Sequence, residues 1–290
     1  MKTPFALHIR QPLHSQDGLT LIELMISLVI GMVLVLFIST LFVNSKASFR
    51  LNDDNARLQE DAGYALGLIG RNLMQAGFGN VRTSATTDFV GQALKGCSKG
   101  FKNTGVPLDL ACATTGTANP AFQVSYRVND LYDANTGAGA DCNGQKVDST
   151  TSAAGIAINS FFLATKSGDT VPSLYCNGNG NTVSQPVLRS VEAMVLTYGV
   201  DANGDYVPDQ YLGADAVEAL TPNAINRKNW DQVVSVQVCL LVASANNVTD
   251  GNRGYTDCSG AAQTATDNKL RRAFTKVFAL RNNATPSLVY

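Results

Sequence analysis

The run from Leu19 to Val43 constrains this chain more than any other stretch. These 25 residues are apolar apart from Glu23 and a few Ser, Thr and Gly. Roughly 20 such residues cross a bilayer as a helix. A helix that is apolar on every side is buried in protein or in lipid. Glu23 is the exception within it. A carboxylate left unpaired in lipid costs of order a few kcal/mol or more, so Glu23 needs a partner. Gly18 supplies a small residue just ahead of the run, after a short polar leader. A cut after Gly18 places a new amino group at Leu19, four residues from Glu23. That ammonium and the carboxylate of a neighbouring subunit can neutralise each other. An ordinary secretory signal differs, with a shorter apolar region of ~7–15 residues and a cleavage site after it.

The leader carries Lys2 and Arg10 against Asp17, which favours keeping that end in the cytoplasm. Lys46 and Arg50 follow the run, with Asp53 and Asp54 close by. The expected orientation is therefore a single pass with the leader in the cytoplasm and the C-terminal part on the far side of the membrane. Both histidines, His8 and His14, lie in the leader. A chain cut after Gly18 contains none, which excludes Ser-His-Asp and Cys-His catalysis and any zinc site using His. Loss of Lys2, Arg10 and Asp17 leaves 20 basic and 22 acidic residues, net −2. That balance is not the footprint of a nucleic-acid binder.

Gly18-Leu19-Thr20-Leu21-Ile22-Glu23 resembles the type III signal of type IV pilins and type II secretion pseudopilins. In that family a dedicated prepilin peptidase cuts after the Gly and methylates the new N-terminus. The Glu five residues into the mature chain guides assembly. The resemblance implies that Gly18 and Leu19 are processing residues and that Glu23 acts in assembly. Leu19 stands where the family most often has Phe, a change the family tolerates.

Helical periodicity continues past the apolar run. Leu51, Leu58, Ala62, Ala65, Ile69 and Leu73 share one face, with Asn52, Asp53, Arg57, Gln59, Glu60 and Asn72 among the polar remainder. Gly77-Phe78-Gly79-Asn80 supplies a stop. One helix is expected from about Leu19 to about Gln75, ~85 Å long. Gly63 and Gly67 form a small-x-x-x-small face, and Gly31, Gly63, Gly67 and Gly70 weaken the helix by ~1 kcal/mol each relative to Ala. Residues 81–120 read as a stapled loop region. Strands are expected at Phe122–Val128, Ile156–Leu163, Val187–Val200, Val233–Val242 and Ala273–Leu280. Residues 234–241 alternate apolar and mostly polar, as a strand with one buried face does. Cys176–Asn181 reads as turns. The fold class is α+β, a long N-terminal helix, transmembrane then amphipathic, packed on a mostly antiparallel sheet. The organisation is a leader at 1–18, a transmembrane assembly helix at 19–43, an amphipathic half at 44–76 and a β-rich domain at 77–290.

Six cysteines, Cys97, Cys112, Cys142, Cys176, Cys239 and Cys258, lie beyond the membrane run, with no Cys-x-x-Cys pair. An even number facing an oxidising compartment reads as three disulfides. Fifteen pairings exist for six cysteines. Pairing of neighbours, 97–112, 142–176 and 239–258, is the expected one, closing three short polar loops at roughly 3 kcal/mol each.

Three further segments resemble the PilW-like minor pilins. They are Tyr198–Asp205 with Asp209-Gln210-Tyr211, Trp230 leading into Val233–Val238, and Arg271–Phe274 with Ala279–Asn282. That family implies a minor type IV pilin that helps start a pilus and sits at or near its tip. Its implied partners are other minor pilins, the major pilin, the inner-membrane assembly platform and a PilY1-like tip adhesin. The alternatives are a minor pseudopilin of a type II secretion system and, more remotely, a membrane-anchored extracytoplasmic enzyme; no acid pair is marked out for catalysis. No cofactor is required. Asp201, Asn203, Asp205 and Asp209, with the carbonyl of Val207, have the spacing of a calcium loop. Tyr206 and Leu212 stand where an EF-hand has Gly and Glu. The plain alternative is a turn whose acidic residues bond to the loop's own backbone.

Overall fold

A computed structural model describes residues 18, 20–79, 91–102, 111–115, 119–128, 139–147, 155–166, 168–181, 183–248 and 251–282. The chain forms two compact units, Met1–Arg50 and Leu51–Tyr290. Helix α1, Leu21–Gln75, contributes to both. In the first unit its side chains are exposed on every side, from Leu21 at 79% to Leu41 at 53%. Ser27, Ser39 and Thr40 donate their hydroxyls to the carbonyls of Leu24, Val35 and Phe37. The polar residues are thus satisfied within the helix, and the surface offered outward is hydrocarbon. Among the described residues this is the one helix long and apolar enough to cross a membrane.

In the second unit the same helix becomes one-sided. Leu58, Ala62, Ala65, Leu66, Ile69 and Leu73 are buried, and Leu51 is half-buried. They meet two antiparallel sheets. The first contains β1 (Leu94–Cys97), β2 (Ala121–Arg127), β3 (Ile156–Ala164), β4 (Ser173–Gly178) and β5 (Gln185–Leu188), in that order. The second uses β6 (Val191–Val200), β7 (Gln210–Leu212), β8 (Val233–Asn247) and β11 (Lys269–Ala279), ordered β11-β8-β6-β7. A hairpin of β9 (Arg253–Thr256) and β10 (Ala262–Ala265) forms a separate two-stranded sheet. A short helix α2 (Ala214–Glu218) and a 3-10 turn (Asn229–Gln232) lie between β7 and β8. One core cluster unites the helix stripe with Phe122, Phe161 and Leu174 of the first sheet and Met194, Tyr198 and Leu240 of the second. Phe122 and Phe161 are register partners whose rings stack at 5.1 Å. Tyr198 meets Trp230 edge-on at 4.9 Å. The fold is α+β.

Several expectations change. Asn72 is not on the polar face: it is 4% exposed and accepts the Asn159 amide at 2.6 Å. Asn159 also donates to the Tyr126 hydroxyl and accepts the Cys142 N–H. This network joins helix to sheet, and each buried amide has a partner, as burial demands. Burial pushes the Tyr126 hydroxyl up to about 12. The expected strand Val187–Val200 is broken, because Ser190 takes φ 56 and turns the chain from the first sheet to the second. The loop region at 81–120 contains β1, and Ser173–Gly178 is strand β4, where Cys176–Gly178 had read as turns. Both strands are held by cross-strand partners rather than by β-forming residues. Strand β8 is buried on both faces through Ser244: Val236, Val238 and Leu240 enter the core, while Tyr211 bonds Ser235 and Cys258 is tied to Cys239.

The disulfides join Cys97 to Cys112, Cys142 to Cys176 and Cys239 to Cys258, with Cα separations of 5.2, 6.4 and 5.8 Å. Helix α1 ends at Gln75, Gly77 follows with φ 73, and the Asn282 amide donates to the Ala76 carbonyl at 2.9 Å. A residue from the far end of the chain thereby satisfies a carbonyl that the last turn leaves open.

The helix glycines are not equivalent. A Cβ at Gly70 would overlap the Phe278 ring, whereas at Gly63 or Gly67 it would meet nothing within 4 Å. Gly63→Ala and Gly67→Ala should each raise stability by up to ~1 kcal/mol. Gly70→Val should lower it by roughly 1–3 kcal/mol through overpacking. Denaturant unfolding measures both, and equal effects at Gly63 and Gly70 would contradict the close approach of helix and β11.

Arg271 on β11 holds Glu192 at 2.7 and 2.8 Å and Asp267 at 2.6 and 2.7 Å, with Tyr255 beneath its guanidinium. The hydrogen bonds from Arg271 keep the Asp267 carboxyl well below the usual carboxylate range. A depressed carboxyl stabilises the fold above its unfolded pKa of ~3.9, and that stabilisation is lost as pH falls through the lower folded value. Asp267→Asn should therefore melt earlier than wild type at neutral pH, with the gap closing below about pH 4. A gap that persists undiminished in stronger acid would show that the charge is not its source.

Candidate functional site

The candidate site in the first unit is the head of α1. Thr20 precedes the first helical residue, and Glu23 is the third residue of the helix. The Glu23 carboxylate accepts the Thr20 backbone N–H at 2.9 Å and the Thr20 hydroxyl at 2.9 Å. In return the Glu23 N–H donates to the Thr20 hydroxyl oxygen at 3.4 Å. This reciprocal arrangement is a capping box: two N–H groups that the helix start leaves open are each given an acceptor. It also gives the one ionisable group of the apolar run a local set of donors. Among the described residues Glu23 has no cationic partner. An ammonium brought to it from another chain could add an ion pair to these hydrogen bonds.

Thr20 was not singled out from the sequence as a site residue, although the Thr-x-x-Glu spacing before an apolar run marks a helix start. Gly18 is exposed, and nothing lies within 4 Å of where its Cβ would stand. Leu19 falls outside the described residues. Glu23 is exposed, like the apolar residues that follow it. Chemically the site can do one thing well: offer hydrocarbon along the helix and a single oriented negative charge near its end.

The acidic loop belongs to the second unit and is built differently. Asp201 is 0% exposed, and its two oxygens accept the N–H groups of Gly204 at 2.6 Å and Tyr206 at 3.1 Å. Arg227 stands 3.5 Å from the same carboxylate and over the Tyr206 ring. Asp209 accepts the N–H groups of Ala202 and Asn203. The Asn203 amide nitrogen lies between Asp205 at 3.2 Å and Asp209 at 3.1 Å. Val207 donates its N–H to Asp205. The loop therefore gathers Asp201, Asn203, Asp205 and Asp209 around its own backbone donors, with Gly204 and Tyr206 at positive φ. No group of three or more His, Cys, Asp or Glu among the described residues is arranged to hold a metal ion. The calcium expectation rests on the spacing alone.

With this geometry in view, comparison with known proteins is specific at both ends. The family model described as type IV pilus-assembly protein W matches residues 160–282. The model for the prokaryotic N-terminal methylation motif matches residues 13–39. Among solved structures the chain is similar to a type IV-like pilin from Thermus thermophilus, at 13% identity and a TM-score of 0.43, covering 79% of this chain and 99% of that one. A search of curated protein sequences gives no significant match. The methylation motif and the apolar helix fit membrane anchoring. The N-terminal motif takes in Gly18 and Glu23, and the second match takes in the acidic loop, β8 and Arg271, so the chain is a type IV pilin-like protein with a PilW domain.

Proposed function

We propose that this chain is a minor type IV pilin, a structural subunit that helps initiate pilus assembly and sits at or near the tip. The observation that carries the reading is a helix whose apolar surface is uncovered on every side within its own unit, with one carboxylate near its head. Among the described residues of its own unit nothing covers that surface. A bilayer covers it before assembly, and the equivalent helices of other subunits cover it afterwards. Cleavage after Gly18 by the prepilin peptidase removes the leader and exposes the Leu19 amine. The Glu23 carboxylate then pairs with such an amine on an adjacent subunit, which favours one axial register. Other minor pilins, the major pilin, the inner-membrane platform and a PilY1-like tip adhesin are the proposed partners. The PilW match favours the pilus over a secretion pseudopilus.

Glu23→Gln tests the reading because it keeps size and polarity and removes the charge. Membrane insertion and cleavage should stay normal, while co-purification with the other pilins falls and piliation drops. Blocked cleavage would assign Glu23 to peptidase recognition instead. Wild-type piliation with normal cleavage would rule out a role for its charge in assembly. If deletion of the chain leaves piliation intact and abolishes type II secretion, the pseudopilin reading replaces this one.

A further inference from the structure

A groove of about 340 Å³ lies within the second unit, where α1 faces β9 and β11. Asn52 and Asn55 line it from the helix, and Arg253, Arg271 and Arg272 line it from the strands. No carboxylate is among its lining residues. The three guanidiniums differ in how they are held. Arg271 is neutralised by Glu192 and Asp267. Arg272 is exposed, donates to the Asn55 side-chain oxygen at 3.2 Å and lies 5.8 Å from the centre of the Phe274 ring. An amide and a ring orient that cation without cancelling its charge, and most of its donors stay open. Arg253 is exposed and has no hydrogen bond or ion pair among the described residues. Asp53, the acid beside Asn52 in the chain, is paired with Arg57 at 3.0 Å instead. The groove thus brings the uncancelled charges of Arg253 and Arg272 into one concavity, where their fields converge on an anion.

We propose that this groove binds the phosphate of an anionic phospholipid headgroup in the membrane that holds the chain. Guanidinium forks match pairs of phosphate oxygens, and Arg253 and Arg272 bring such forks from two strands. The Asn52 and Asn55 side chains add neutral polar groups for the rest of the headgroup. Two solvated arginines hold a free anion only weakly, because exposed ion pairs are screened by water and salt. A lipid phosphate differs because chain and lipid share one bilayer, so binding is governed by an effective concentration rather than a bulk one. The sequence ahead of the groove gathers such lipids. No acidic residue occurs from Leu24 to Asn52, and Lys46 and Arg50 stand between the apolar run and Leu51. Basic residues beside a membrane helix attract anionic headgroups. Leu51 follows Val43 by eight positions of α1, or ~12 Å of rise. The headgroup layer and the reach of an arginine side chain together cover that span. The proposal goes beyond the pilin reading, since it needs only the membrane anchor; a pseudopilin would bind the same lipid.

The test uses the full-length chain in vesicles. Trp230, its only tryptophan and a core residue, reports thermal unfolding of the second unit by fluorescence. Vesicles of phosphatidylcholine alone are compared with equal parts phosphatidylcholine and phosphatidylglycerol. The anionic lipid should raise the melting temperature by ~2–4 °C, and by less as salt is added. Arg253→Gln should lose most of that rise, and Arg253→Lys should keep part of it. In phosphatidylcholine alone Arg253→Gln should melt with wild type, because Arg253 has no partner to lose. Arg189→Gln, an exposed arginine outside the groove, should keep the whole rise. No rise, a rise unchanged in Arg253→Gln, or an equal loss in Arg189→Gln would each overturn the proposal. A similar rise from inorganic phosphate added to phosphatidylcholine vesicles would give the groove to a free anion and overturn the lipid assignment. A rise that appears only when the chain is crowded in the membrane would give it to an acidic residue of another copy, with the same result. A chain that fails to float with the vesicles would defeat the membrane anchor itself.

Discussion

The globular unit depends on one buried stripe. Leu58, Ala62, Ala65, Ile69 and Leu73 are each 5% exposed or less, and they are what both sheets pack against. The first sheet relies on short pieces such as Leu94–Cys97 and Gln185–Leu188. What secures them is the shared core, the Asn72–Asn159 bond, and the Asn282 amide at the helix end. Truncating Ile69 or Leu73 to Ala would remove packing from both sheets at once, at a cost of ~2–5 kcal/mol.

The upstream part of the same helix obeys the opposite rule. From Leu21 to Val43 the large apolar side chains are all more than half exposed, and the hydroxyls among them bond back to the helix. One covalent helix thus presents two kinds of surface, a stripe that is satisfied within the chain and a cylinder that is not. Glu23 sits where the unsatisfied part begins, held by Thr20. A carboxylate with donors already arranged around it is cheaper to carry in lipid than a bare one. That arrangement reconciles a stable anchor with a charge available for pairing between subunits.

Much of this was legible in the sequence. The helix and its core face follow from the spacing of Leu58, Ala62, Ala65, Ile69 and Leu73, and β8 follows from alternation at 234–241. Asn72 was misplaced because periodicity records polarity, and a buried amide that meets Asn159 and Tyr126 looks polar in sequence all the same. Strands β1 and β4 were hidden by Gly, Cys and Asn, residues that enter strands only when neighbours hold them. The turn at Ser190 left no signal, since nothing in Leu188-Arg189-Ser190 demands positive φ. At the helix head the Thr20–Glu23 spacing was present in the sequence, and the capping box gives it a physical meaning.

If the helix is an assembly device, the chain must reach the fibre as a processed subunit. The most direct measurement is mass spectrometry of its N-terminal peptide in sheared, purified pili. The account predicts a peptide that begins at Leu19, carries a methyl group on its amine and is recovered with the other pilins. A chain that stays in the membrane fraction with its leader intact, and is missing from the pili, would contradict it.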